Sequence, residues 1–516
     1  MAPNSKLTAM IQFKENESST EDSAVFSPSQ HAPSCLRLLL AQEMERDEFR
    51  VAADRLKRKV DRRLLGMAWV MLIFNYFDRC IIAAARVVGL QKSLDIDSTQ
   101  YGIAVGILYV GYILMQVPSN MVLTKLRPSI YLPSCMAIWG VISACTGLVH
   151  NAWNLYLIRF LLGFVEAPFT VGALFLISSW YTRSELGLRS AILLSAPLLG
   201  SAVSGLIAAG ITVRLEGAGG FEAWRWMFII GGVSTVGVAC LACLSLPDFP
   251  SNTRWLSDKE RAVAEWRLVL DAGQLDEERN NSESGFHLAR KDGRLFVFAA
   301  MYMLLSMASS VHNFFPSVVQ TLGFNRMATL LLTSPPYLMA IFVAISNNWS
   351  ADRTENSSYH VIWPLAVAII GFSICAATLS TWPRYFAMIL MVAGGHGANA
   401  IVLAWAQKTM IRPRAKRACA LAFINATGTL AQISTSFLYP NHSAPRYIIA
   451  MSVNSASVLG AIILALVMRV ILQRANKRLE CSTGPEAVMD SEAQAEIAGF
   501  STQERQEARR RFRYIT

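Results

Sequence analysis

Long apolar blocks, interrupted by short polar ones, run through most of the 516-residue chain. A helix needs about 20 mostly apolar residues to cross a bilayer core of roughly 30 Å. Twelve blocks reach that length, at 64–85, 101–124, 130–149, 154–178, 187–213, 225–247, 294–319, 327–349, 360–381, 384–407, 417–439 and 447–472. Their apolar residues run on continuously instead of alternating every second position, which predicts helices and excludes a barrel of short strands. The longest interior polar stretch, 248–292, separates the sixth block from the seventh. It holds SDKERAVAEWRLVL, where Ser257 and Glu260 have the spacing of a helix capping box.

The pattern therefore predicts an all-α polytopic membrane protein of 12 transmembrane helices in two six-helix bundles. The expected domains are a largely disordered N-terminal cytoplasmic segment (1–60), a first bundle (61–247), a cytoplasmic linker (248–293), a second bundle (294–472) and a cytoplasmic tail (473–516). The halves echo each other. Arg189 is followed by Leu193 and Gly200, and Arg417 by Leu421 and Gly428, at identical spacings. Matched halves of this kind are a transporter architecture, with the site between them.

Composition agrees: 53% of residues are hydrophobic and 16% charged, where a soluble chain carries about a quarter charged. The net charge of +11 would fit a nucleic-acid partner in a soluble protein, but its placement does not. Lys57 to Arg63, Lys125 with Arg127, Arg183 with Arg189, Arg412 to Arg417 and Arg469 to Arg478 all fall on one side of the twelve-span layout. The opposite loops, such as HNAW (150–153), are nearly bare of Lys and Arg. This bias puts both ends in the cytoplasm. No cleavable signal pattern opens the chain, and no endosomal or vacuolar address stands out, so the plasma membrane is the default location. Cys240 and Cys243 form a CxxC inside an apolar helix with no further ligands nearby, so no metal site is expected.

Chemistry must come from polar groups inside the spans. A charge at the bilayer centre costs about 2.5–3.5 kcal/mol on insertion scales, so such residues turn to partners or water. In FNYFDRCIIAAAR (74–86), Asp78 and Arg79 are adjacent and do not face each other on a helix. On the fourth span Arg159 and Glu166, seven apart, share a face. Similar depth makes Asp78 with Arg159 the preferred pair, while Glu166 has no evident partner near it in sequence. Two readings stay open: an acid that exchanges a proton beside an arginine that holds an anion, or a static bridge between helices. In the second half His396 and Asn399 lie near the middle of the tenth span, His312 and Asn313 in the outer part of the seventh, and Asn425, Thr427 and Gln432 along one side of the eleventh. Histidine suits proton traffic, and a packing histidine is the alternative. The candidate substrate-binding residues are Arg79, Arg159, His396, Asn399 and Asn425; the candidate proton-coupling residues are Asp78, Glu166 and His396.

These residues sit in stretches that resemble the major facilitator superfamily, and within it the fungal anion:cation symporter family of allantoate permease-like carriers. The matching stretches are VDRRLL (60–65), FDR (77–79), TQYGIA (99–104), VPSN (117–120), RFLLGFVEA (159–167), SSWY (178–181), WRWMFII (224–230), LPDFP (246–250), SPPY (334–337) and APRY (444–447). The resemblance implies alternating access between two bundles and proton-coupled movement of a small organic anion. Against the family pattern, Ile81 and Ala84 stand where Asn is usual, Thr409 replaces an Asn, and His396 occupies a position more often aromatic. A more apolar solute moved outward, such as a fungal secondary metabolite, is therefore a competing reading, as is a nutrient sensor that no longer transports. No P-loop, HExxH or GxSxG stretch points to ATP use or hydrolysis. The expectation is a non-enzymatic, monomeric secondary transporter with no cofactor beyond the proton gradient, whose partners are a small-molecule solute and the lipid bilayer, and no nucleic acid.

Overall fold

A computed structural model describes residues 46–481 apart from 124–125, 251, 254, 273–286, 288, 355 and 411–413. The expectations placed on residues 1–45, on the tail beyond 481, and on Lys125 and Arg412 lie outside the described residues. Among those described, the regular elements are all helical. Helix α1 (Arg46–Val60) runs through a π-helical turn (Asp61–Leu65) into α2 (Gly66–Val88). Then come α3 (Ser98–Leu123), α4 (Pro128–Thr146), α5 (Ala152–Ser178), α6 (Arg183–Arg214) and α7 (Ala223–Ser245). The linker contributes α8 (Asp258–Ala272). The second half holds α9 (Gly293–Ser309), α10 (Phe315–Gln320), α11 (Arg326–Leu332), α12 (Ser334–Thr354), α13 (Ser357–Ala377), α14 (Thr381–Thr409), α15 (Arg414–Thr435) and α16 (Ile448–Cys481).

Among the described residues, 11 helical segments are long and apolar enough to cross a bilayer. The expected span at 417–439 is the exception. It is occupied by α15, whose Asn425, Thr427, Thr429, Gln432, Ser434 and Thr435 make it too polar for that measure. It packs along α9, where Thr427 and Gln432 bond the Ala299 and Ser306 carbonyls, and completes the twelve-helix arrangement of two six-helix bundles. Two other expected spans are each divided. The seventh breaks at Ser310–Asn313 before α10, and the eighth at Thr333 between α11 and α12.

Each half repeats one set of pairings. In the first, α3 packs on α5, α4 on α7 and α2 on α6; in the second, α12 packs on α14, α13 on α16 and α9 on α15. The echoed residues occupy matching places. A Cβ on Gly200 would press on the Ile73 carbonyl and Tyr76 of α2, and one on Gly428 would press on Tyr302 and Ser306 of α9. A basic residue at or beside each echoed position has a common job as well. Arg189 holds the Asp61 carboxylate with Nε at 2.7 Å and Nη2 at 2.9 Å, and the Tyr181 hydroxyl donates to the same carboxylate. In the second half it is Lys416, one residue before Arg417, whose Nζ lies 3.0 Å from Asp292 Oδ2. Each acid sits just before the first span of its half and ties it to the fifth.

Burial raises the Asp292 carboxyl, but Arg294 and Lys416 outweigh that effect and hold it at about 2, below its ordinary 3.8. A depressed acid stabilises the fold above its unfolded value and loses that contribution as pH falls through the folded one. Asp292→Asn should therefore melt lower than the parent at pH 7. The two melting curves should converge as pH drops from about 4 towards 2, which thermal scans of detergent-solubilised protein would follow.

The linker helix starts as the capping-box spacing predicts: Glu260 Oε2 accepts from the Ser257 amide at 3.0 Å, and Ser257 Oγ from the Glu260 amide at 3.3 Å. Lys59 binds Glu260 at 2.9 Å, which docks α8 on α1. We call the face that carries α1 and α8 the terminal face and the opposite one the distal face. The hydrogen bonds joining the halves cluster toward the distal face. Asn441 donates its amide to Ser98 Oγ at 3.0 Å, and Ser334 Oγ donates to the Ala202 carbonyl at 2.7 Å. Gly102 and Gly205 admit backbone of the other half, at Ser436 and Leu330 respectively. The halves are thus drawn together at the distal mouth.

Candidate functional site

Adjacent positions on α2 place Asp78 and Arg79 about 100° apart around the helix, and the two side chains go to different surroundings. Arg79 turns towards α5, where its Nε lies 2.6 Å from Glu166 Oε2. Its guanidinium is flanked by tyrosine rings, with Cζ 4.6 Å from the Tyr112 centroid and 5.3 Å from that of Tyr76. Glu166 is fully buried, so the bridge is shielded from water. It is also incomplete: Arg79 Nη2 lacks a partner, while Asn75 stands beside the Glu166 carboxylate.

Asp78 goes the other way, into the contact between α4 and α7. It accepts from Trp139 Nε1 at 3.2 Å, Ser143 Oγ at 3.1 Å and Thr235 Oγ1 at 2.9 Å. The expected Asp78–Arg159 pair is not formed. Similar depth brought those residues into question together, but rotation about α2 separates them. Glu166, which has no partner near it in sequence, is paired across helices by Arg79. Asp78→Ala would strand three donors, each worth about 1–3 kcal/mol when left unsatisfied. We expect it to lower the melting temperature well below that of Asp78→Asn, whose amide oxygen can still accept; thermal unfolding checks the order.

Arg159 is 2% exposed and bonds the Ala104 carbonyl from Nε at 3.4 Å. Its Nη1 has no partner. It lies in the electrostatic field of Glu166 and Arg79 without forming an ion pair with the acid. Two guanidiniums therefore flank one carboxylate.

The second half faces this cluster with imidazoles and amides. His312 and His396, far apart in sequence, come together with ring centroids 6.3 Å apart, and Tyr337 lies 6.5 Å from His396. His312 Nδ1 donates to the Ser309 carbonyl at 2.7 Å, so its Nε2 is the free nitrogen. His396 Nε2 and Asn399 Oδ1 are buried and unpartnered, although Asn399 Nδ2 reaches Ser309 Oγ at 3.4 Å. A chain of side chains links the halves: the Tyr109 hydroxyl donates to Asn313 Oδ1, Asn313 Nδ2 to Gln432 Oε1, and Gln432 Nε2 to the Ser306 carbonyl. Asn425 lies one turn from Gly428 and two from Gln432 along α15, both of which meet α9.

Sequence reasoning missed Tyr76 and Tyr112. Tyr76 had a signal, lying three residues before Arg79 and so one turn below it. Tyr112 had none, because only the packing of α3 on α5, beside Glu166, brings it there. No group of three or more His, Cys, Asp or Glu able to hold a metal occurs among the described residues.

Twelve helices in two matched bundles, with ionic groups buried between them instead of facing lipid, define a membrane transporter. The family model of the Major Facilitator Superfamily matches residues 68–436, and the chain belongs to that superfamily. It is 31% identical over 440 residues to the MFS-type transporter cnsO of Penicillium expansum, covering 82% of this chain and 84% of the relative. To the MFS-type transporter efuF of Hormonema carpetanum it is 30% identical over 405 residues, covering 78% and 81%. Among solved structures, a bacterial homologue of the human lysosomal transporter Spinster, inward-facing and unoccupied, superposes with a TM-score of 0.64 at 15% identity, covering 80% of this chain and 97% of that one. That last likeness concerns the fold alone.

Proposed function

We propose that the protein carries a small organic anion together with a proton, by alternating access of the two bundles to the central site. The observation that carries this reading is Arg159: a buried guanidinium with an unpartnered nitrogen and no carboxylate bound to it. A buried cation without a counterion is costly, and an anionic solute would supply the counterion. Arginine's planar fork suits a carboxylate.

The Arg79–Glu166 bridge supports the coupling. An anion that engages Arg79 competes with Glu166 for the same guanidinium. The released carboxylate, fully buried, would then be left uncompensated, and taking up a proton removes that cost. Anion and proton would thus load together. His396 and Asn399, with open polar atoms, would read the remainder of the solute, while Asn425 would set the contact between α15 and α9. Asp78, satisfied by neutral donors, would hold α2 against α4 and α7. On the residues quoted above, we read the chain as an allantoate permease-like carrier whose solute is more apolar than a ureide.

Reconstituted vesicles test this with a panel of labelled organic acids under an imposed pH gradient. Flux should rise when the solute side is acidified, and Glu166→Gln should lose that response. Flux indifferent to pH, with Glu166→Gln behaving as the parent, would remove the proton from the scheme.

A further inference from the structure

Arg86, two turns beyond Arg79 on α2, is a second buried guanidinium that the central site does not use. It is 7% exposed, and its polar contacts are all to neutral acceptors. Nε donates to Gln91 Oε1 at 2.9 Å, and Nη2 to Asn441 Oδ1 at 2.6 Å and the Tyr439 carbonyl at 3.4 Å. Its Cζ lies 4.4 Å from the ring centroid of Tyr101 and 5.6 Å from that of Phe314. Nη1 is buried and unpartnered. Tyr439 and Asn441 belong to the second bundle and Gln91 to the first, so the guanidinium spans the closed distal mouth. Asn441 is bound again there: Nδ2 donates to Gln91 Oε1 at 3.3 Å and its backbone amide to Ser98. Although Asn441-His442-Ser443 reads as a glycosylation sequon, its side chain is committed to this contact.

A guanidinium held by amide and peptide oxygens is held by dipoles alone, and a carboxylate makes the stronger, charge-assisted bidentate bond. We propose that Arg86, Gln91 and Asn441 form a second anion-recognition site at the distal mouth, where a carboxylate displaces the two amide oxygens and thereby releases the bundles. The closed mouth is then stable when empty and yields to the anionic group itself. The idea rests on the reading of the protein as an organic-anion carrier, but it concerns a different arginine and a different step.

The test uses the full chain in lipid nanodiscs, with its other cysteines replaced and spin labels at Lys92→Cys and Arg446→Cys, exposed positions on opposite bundles at the distal face. Distance distributions would be recorded with sodium chloride or with sodium benzoate, an aromatic monocarboxylate, at equal ionic strength. Without benzoate, Asn441→Ala and Arg86→Gln should each raise the open-to-closed ratio by about tenfold, the worth of one hydrogen bond to a charged group. Benzoate should open the parent in the same direction and leave Arg86→Gln unchanged. Arg159→Gln, which disables the central site, should still respond to benzoate at the mouth. An unchanged ratio in both Asn441→Ala and Arg86→Gln would overturn the latch. A benzoate response that survives Arg86→Gln, or vanishes in Arg159→Gln, would overturn the second site. If Arg86→Gln does not fold, Gln91→Ala takes its place, with a weakened benzoate response expected and an undiminished one overturning the site. Failure of flux in the vesicle assay with the mouth still answering benzoate would count against the central reading alone.

Discussion

Arg79→Ala should abolish transport and cost about 3–5 kcal/mol of stability, the usual penalty for removing one partner of a buried ion pair. The reason is the environment of Glu166. With no accessible surface and its ion pair made to Arg79 Nε, it would become an uncompensated buried charge. Removing both charges together should recover much of the stability, since the cost lies in the charge left behind and not in the bridge itself. We therefore expect Arg79→Gln combined with Glu166→Gln to melt closer to the parent than Arg79→Ala, yet to remain without proton-coupled flux. Thermal unfolding and vesicle flux on the same preparations separate the two effects. A double variant that melts no higher than Arg79→Ala would show that the tyrosine cradle, and not the pair, holds this site together.

The second large effect is expected at Gly163, on α5. A Cβ there would land on the carbonyl of Leu108 of α3, and one at Gly111 on the carbonyl of Phe160. Each helix thus offers its glycine to the other's backbone, the close approach that small residues permit between membrane helices. Backbone cannot swing aside as a side chain can. Gly163→Val should push α3 off α5, displacing Tyr109 and Tyr112 on one side and Arg159 and Glu166 on the other. We expect loss of folded protein, seen as aggregation on size-exclusion chromatography. Gly210→Val, where a Cβ meets nothing within 4 Å, should behave as the parent.

Much of the fold was legible in the chain because the bilayer imposes one requirement along its whole length. The twelve apolar blocks had to be helices, and the polar linker had to lie outside. The matched spacings after Arg189 and Arg417 signalled the repeat, and the structure supplies its physical content: Gly200 and Gly428 each admit the first helix of their own half. The span at 417–439 shows the limit of hydropathy. There Thr427 and Gln432 turn to carbonyls of α9, so composition alone undercounts the helices.

Sequence by itself determined which residues had to be explained: Asp78, Arg79, Arg159 and Glu166 could not face lipid, and the cost of burying charge said so. What they face was decided only by tertiary structure. Depth along a helix can be counted from the chain, but the direction of a side chain around it means nothing until the neighbouring helices are in place. That rotation sent Asp78 to Trp139, Ser143 and Thr235, gave Glu166 to Arg79, left Arg159 without a carboxylate, and set Arg86 across the mouth.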